Sequence, residues 1–230
     1  MSTLTPTRKV SRKHELREDK VVTFYARVLG LVENNRTAVY GGLVGIGVIL
    51  AAIFLFSYFQ STRNLKALEQ MSEAVSRYES GDYTTAIDGD MLFSGLVEVA
   101  EKFGSTKAGN LARFYAADAL FRTGDLERSL AFFEAFDKDD DYIGASAYAG
   151  EAAIHETNGN FNEAGALYLR AATVFESEVT SPDYLVKAAR SYEAAGDVSS
   201  ARNVYDQLRE EYPVSREGLN VEFYLARIGE

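Results

Sequence analysis

Four times in this chain a Gly followed by Asp or Asn breaks a helical pattern. The stretches are "YESGDYTTAI" at Gly81, "FRTGDLERSL" at Gly124, "HETNGNFNEAGALY" at Gly159 and "YEAAGDVSSARNVY" at Gly196, at intervals of 43, 35 and 37 residues. Each Gly stands where a helix end calls for a left-handed residue. The next residue, Asp82, Asp125, Asn160 or Asp197, suits an N-cap. Asn160 with Glu163 also reads as a capping box. Five residues past each Gly comes a small side chain (Ala86, Ser129, Ala164, Ala201), as two closely approaching antiparallel helices require. Nine past it comes Phe133, Tyr168 or Tyr205, and seven before it Ala117, Ala152 or Ala189. A single such turn would fit a phosphate or metal loop. Four in register describe corners of a repeated helix–turn–helix unit.

From residue 60 onward apolar residues recur at spacings of three and four, as in Leu65, Leu68, Met71, Val75 and Tyr78. No proline interrupts such a stripe. Pro182 follows Ser181 as an N-cap with a first-turn proline, and Pro213 ends the helix of "YDQLREEY". The offsets resemble the tetratricopeptide repeat, a helix pair of 34 residues. The resemblance covers about residues 62–213, with "SREGLNVEFYLARIG" similar to a capping helix. The first interval is about nine residues too long for that period, and "DGDM" at 88–91 is where a bend is expected.

Ahead of the repeats, Thr37 to Phe59 is 23 residues without a charge. As a helix it would extend roughly 35 Å, enough for a hydrocarbon core of about 30 Å. Tyr40 lies near one end, Tyr58 and Phe59 at the other, as interfacial aromatics do. The leading 36 residues are too many for a cleaved signal, so a retained anchor is expected. Residues 1–36 hold eight Lys/Arg and four acids, while only Arg63, Lys66 and Arg77 follow the run within about 20 residues. The positive-inside bias then predicts a cytoplasmic N-terminus and a repeat domain across the membrane, periplasmic in a bacterium. No Gly or Pro stands between Gly47 and Gly81, so the span is expected to run straight into the first repeat helix. Gly41 and Gly45 form a GxxxG, a candidate contact between two copies.

The expected organisation is therefore all-α. A basic cytoplasmic tail occupies 1–19, an amphipathic juxtamembrane helix 20–36 and a transmembrane helix 37–59. A tetratricopeptide-like α-α superhelix follows over 60–213, with a C-terminal cap over 214–230. Net charge is −10, or about −14 beyond the basic leader, and an acidic body disfavours nucleic acid. "LVENNR" before one span, "FGSTKAGNLARFYAADALFRTGD" and "SPDYLVKAARSYEAAGD" resemble membrane-anchored tetratricopeptide proteins of Bacteroidota-type bacteria. The layout is also similar to the ancillary subunit of the bacterial Sec translocon. That resemblance implies a setting in protein export or envelope assembly, with the Sec translocon, periplasmic chaperones and inner-membrane lipid as expected partners.

Catalytic, cofactor and metal chemistry finds no support in the residues. Cysteine is absent, and His14 and His155 have no partner at a metal or nucleophile spacing. "DKDDDYIGASAY" begins like an EF-hand loop, but Tyr142 and Tyr148 replace its Gly and Glu, so Asp141 is expected to cap the next helix. What remains is a binding surface. In this repeat the first helix of each pair lines the concave face, which places Leu68, Met71, Val75 and Tyr78 there, then Leu111, Phe114, Asp118 and Phe121. Ser146, Ala149, Ala153 and Glu156 follow, then Asp183, Val186, Arg190 and Glu193. Leu111, Phe114, Asp118 and Phe121 are the candidate partner-binding residues, and packing between neighbouring helices is the competing reading of them. No Lys/Asn cluster for a peptide carboxylate is present on this face.

Overall fold

A computed structural model of the chain describes residues 30, 35–139 and 141–229. The basic tail over 1–19 and nearly all of the juxtamembrane helix over 20–36 lie outside the described residues. The chain divides into two compact units, 1–59 and 60–230.

Within the first unit residues 36–59 belong to one helix, α1, whose bounds are Arg36–Glu79. Its apolar stretch is long enough to cross a membrane, and none of that stretch is buried against protein. Leu43, Ile49, Phe54 and Phe56 all lie open. The helix bounds agree with the expectation of an unbroken helix past residue 60.

The second unit is built from helix pairs. The end of α1 precedes α2 (Tyr83–Asp88) and α3 (Leu96–Phe103), and α4 (Lys107–Thr123) pairs with α5 (Leu126–Ala135). α6 (Tyr142–Thr157) pairs with α7 (Phe161–Val174), and α8 (Ser181–Ala195) with α9 (Val198–Glu211). A 3-10 turn, Gly218–Asn220, leads into α10 (Val221–Ile228). Among the described residues no strand forms, apart from one isolated bridge between Gly89 and Ser94.

The corners follow local chemistry. Gly81, Gly124, Gly159 and Gly196 adopt φ of 84°, 85°, 78° and 80°, a region that L side chains avoid. Asp82, Asp125 and Asp197 each accept the N–H three residues on, as N-caps do. Asn160 makes no such side-chain bond, so the capping box expected with Glu163 is not formed. Ser181 is not the N-cap expected for α8, since Thr180 holds that position. The Ser181 hydroxyl is buried instead and donates to the Ala172 carbonyl at 2.8 Å. Asp141 caps α6 by accepting from Gly144 N at 2.7 Å.

The small positions do what their spacing demands. Ala86, Ser129, Ala164 and Ala201 are all fully buried. Ser129 Oγ donates to the carbonyl of Ala117, twelve residues back, at 2.7 Å. The over-long first interval is explained by a break. The second helix of that pair is split into α2 and α3, and the chain turns at Gly89 (φ 75°). Gly89 and Gly95 pass so closely that a Cβ on Gly95 would lie 2.2 Å from the Ile87 carbonyl.

Candidate partner-binding face

α4 is held at both ends. Thr106 Oγ1 accepts from Gly109 N at 3.0 Å, and Gly124 closes the helix in the left-handed region with its N–H to the Leu120 and Phe121 carbonyls. Ala108, Ala112, Ala116, Ala119 and Leu120 turn inward and are buried. Leu111, Phe114, Asp118 and Phe121 fall on another face at helical spacing, each half-buried.

Their surroundings differ. Leu111 packs beside a cluster of Met71, Val99 and Phe103. The Phe114 ring meets Tyr115 at 5.9 Å, Phe133 at 6.1 Å and Phe136 at 5.8 Å between centroids. Phe121 packs against the same cluster as Phe133. Asp118 accepts from the Tyr78 hydroxyl at 2.6 Å and also pairs with Arg122. Burial and the Asp118 carboxylate push the Tyr78 hydroxyl well above its ordinary pKa. The hydrogen bond to Asp118 likewise raises Arg122. Arg122 also lies over the Tyr83 ring at 5.3 Å. The structure thus brings the four candidates to one face of one helix, with a charged cluster between two apolar patches. Of the other residues expected on the open surface, Met71 and Val186 are buried, because neighbouring helices close over them.

A tyrosine–glutamate pair links the corners at Gly159 and Gly196. Tyr168 donates to Glu156 at 3.2 Å, and Tyr205 donates to Glu193 at 2.6 Å. Each tyrosine stands nine residues past a corner Gly and each acid three before it. In the second repeat the same two positions are Phe133 and Phe121, an apolar version of the staple. In the first they are Asp90 and Tyr78, and Tyr78 turns instead to Asp118 on the next helix. The aromatic half of this signal was visible in the spacing, whereas the acid half was not recognised.

Of the candidates, Leu111 lines a cleft of about 190 Å³ with Lys107, Phe136, Asp137 and Asp139 among others, and two further clefts lie away from the four. One of about 500 Å³ is lined by Glu69, Glu73, Asp90, Met91, Leu92 and Glu98 among others. Another of about 340 Å³ lies between 60–64 and 105–107. Among the described residues no group of three or more His, Cys, Asp or Glu side chains is placed to hold a metal ion.

Comparison with known proteins bears on this geometry. Residues 183–215 match the family model of the tetratricopeptide repeat. That match is the α8–α9 pair. Two crystal structures show the same fold over a longer stretch. They hold the nearly identical TPR-like repeats of a protein described as a kinesin light chain, from Podosopora anserina, and a point variant of it. At 16% identity they cover 71% of this chain and 85% and 84% of their own, with TM-scores of 0.54 and 0.53. A comparison with curated proteins found no match. The fold is a tetratricopeptide-like superhelix of helix pairs preceded by one long apolar helix. Superhelices of stacked helix pairs present extended concave surfaces, which repeat proteins use for binding.

Proposed function

We propose that this chain is a membrane-tethered, periplasmic interaction module serving protein export or envelope assembly in a bacterial inner membrane. The observation that carries the reading is the apolar stretch of α1, open along its length and joined by the chain to a tetratricopeptide-like superhelix. A run of this length left open in water would expose far more apolar surface than a soluble protein tolerates. The eight-to-three Lys/Arg asymmetry supports a cytoplasmic N-terminus. The resemblance of this layout to the ancillary Sec subunit is what suggests the translocon and periplasmic chaperones as partners, and the acidic body favours proteins over nucleic acid. On this reading Leu111, Phe114, Asp118 and Phe121 touch the partner.

A second reading, a scaffold that self-associates in the membrane, is favoured by one observation. Gly41 and Gly45 stand four residues apart on an exposed stretch of α1, the spacing at which two helices can approach closely. Two experiments separate these readings. Alkaline phosphatase fused after Glu230 should be active in a bacterial host; a fusion active only as a cytoplasmic reporter overturns the topology. Photo-crosslinkers at 111 and 118, followed by mass spectrometry, should recover translocon or chaperone subunits. Recovery of self-crosslinks alone would establish the scaffold in place of the module.

A further inference from the structure

We propose that segments 60–67 and 102–113 form a basic face that binds the phosphates of anionic phospholipid headgroups. This rests on the reading of α1 as a membrane span. The two segments are about forty residues apart in sequence and are stapled together by three bonds. Gln60 Nε2 donates to the Ser105 carbonyl at 2.8 Å, Arg63 Nη2 donates to the Lys102 carbonyl at 2.7 Å, and Asn64 Oδ1 accepts from Ala108 N at 2.8 Å. Phe103 is buried beneath them, and the Lys102 ammonium lies 5.4 Å from its ring centre.

The charge partition is the second observation. From residue 60 onward the chain carries sixteen Lys/Arg and thirty Asp/Glu. Five of those sixteen (Arg63, Lys66, Lys102, Lys107, Arg113) fall in the two stapled segments, which contain no acid. The remainder holds eleven bases against all thirty acids. Lys66, Lys102 and Lys107 are exposed. The cleft of about 340 Å³ between the segments is lined by Gln60, Ser61, Asn64, Ser105, Thr106 and Lys107, a set of hydroxyls, amides and one ammonium. Of these, Ser61, Asn64, Ser105 and Lys107 can donate to a phosphodiester, with the lysine acting as a point charge, while the buried Thr106 hydroxyl is donated to the Phe103 carbonyl. Location supplies the source of that phosphate. Gln60 directly follows Phe59, so the chain itself holds this face at the surface of any bilayer that the 37–59 run crosses. A Lys or Arg so placed is attracted to anionic lipid within a Debye length. An extended polyanion would meet the acidic remainder, including Asp137, Asp139 and Asp141 on the far side of Lys107, whereas a single headgroup in the 60–64/105–107 cleft meets no acid in its lining.

The test uses the full chain in nanodiscs of phosphatidylcholine alone or mixed with phosphatidylglycerol, read by amide deuterium exchange. Peptides covering 60–67 and 102–110 should exchange more slowly in the anionic discs, by about fivefold for each engaged lysine. The double variant Lys102→Glu, Lys107→Glu should lose that difference while 183–215 exchanges as in the wild type; Lys102→Gln, Lys107→Gln replaces it if 183–215 is perturbed. Equal exchange in the two discs overturns the proposal. Equal slowing by millimolar inorganic phosphate in phosphatidylcholine discs assigns the cleft to a free anion and also overturns it. A chain that fails to enter either disc refutes the membrane span itself, an outcome distinct from a chain that enters and shows no lipid dependence.

Discussion

The carboxylates of Asp118, Glu156 and Glu193 each accept a tyrosine hydroxyl, from Tyr78, Tyr168 and Tyr205. Burial first, and the acid with it, raises the pKa of all three hydroxyls. The sign of the consequence is fixed. A hydroxyl whose folded pKa exceeds its unfolded value of about 10 contributes stability that is fully present below that pH and is lost as pH rises further. Alkaline titration followed by circular dichroism should therefore show unfolding that begins above about pH 10. Replacing the three tyrosines by Phe should flatten that alkaline dependence, while each single change costs about 1 kcal/mol at neutral pH. An unaltered alkaline profile in the triple variant would remove the linkage. Phe121 and Phe133 hold the equivalent positions in apolar form, and Phe114 packs against Phe133. Phe114, with three rings within about 6 Å, is expected to lose roughly 3 kcal/mol of unfolding free energy on change to Ala. A Phe114→Ala variant with wild-type denaturant stability and lost partner crosslinks would show that the ring serves the partner alone.

At the scale of the element, helix ends are where sequence and structure agree best, because their causes lie within four residues. The Asp197 cap illustrates this. Hydrogen bonds from Ser200, then Ser199, lower its pKa to about 2. A carboxyl depressed in the fold contributes stability above its unfolded pKa and loses it as pH falls through the folded value. An acid titration of Asp197→Ala should consequently lack part of the wild-type destabilisation between about pH 4 and 2; identical acid profiles would dismiss the cap. The four corner glycines, Gly81, Gly124, Gly159 and Gly196, were legible for the same local reason. Asn160 shows the limit, since the right residue type at the right spacing still makes no cap bond. So does the stapling of 60–64 to 105–108, which joins residues some forty positions apart and leaves no periodic trace. The candidate site was half legible: the face of α4 follows from periodicity, but the Tyr78–Asp118 bond across helices does not. The split of α2 from α3 was expected from interval length, yet its geometry depends on two glycines passing in contact. Gly95→Ala should cost a few kcal/mol, because the added carbon meets backbone rather than a movable side chain. Unchanged thermal stability in that variant would show that the crossing relaxes freely.

For the molecule as a whole, a stack of helix pairs is stabilised by nearest-neighbour contacts, so the α8–α9 pair depends on what covers its outer side. α10 supplies it. Val221 is buried in the cluster of Val204, Tyr205 and Leu208, with Tyr224, Leu225 and Ile228 packed against its margin. The Tyr224 ring stacks on Tyr205 at 5.2 Å, and Arg227 Nη2 donates to both oxygens of Glu193 at 2.8 and 2.7 Å. Arg227 thereby ties the cap to the same acid that holds Tyr205, coupling the end of the chain to the corner at Gly196. Removing residues 214–230 uncovers this surface. Loss of Val221 alone accounts for about 1.5–3 kcal/mol. With the ring stack and the ion pair added, the melting temperature should fall on the order of 5–10 °C for a domain of this size. Nearest-neighbour coupling also predicts where the loss appears. Deuterium uptake in the truncated protein should rise across 181–211 first, while 107–123 keeps its protection. Equal loss of protection in both segments would mean that the superhelix unfolds as one block, and an unshifted melting temperature would mean that α10 is no cap.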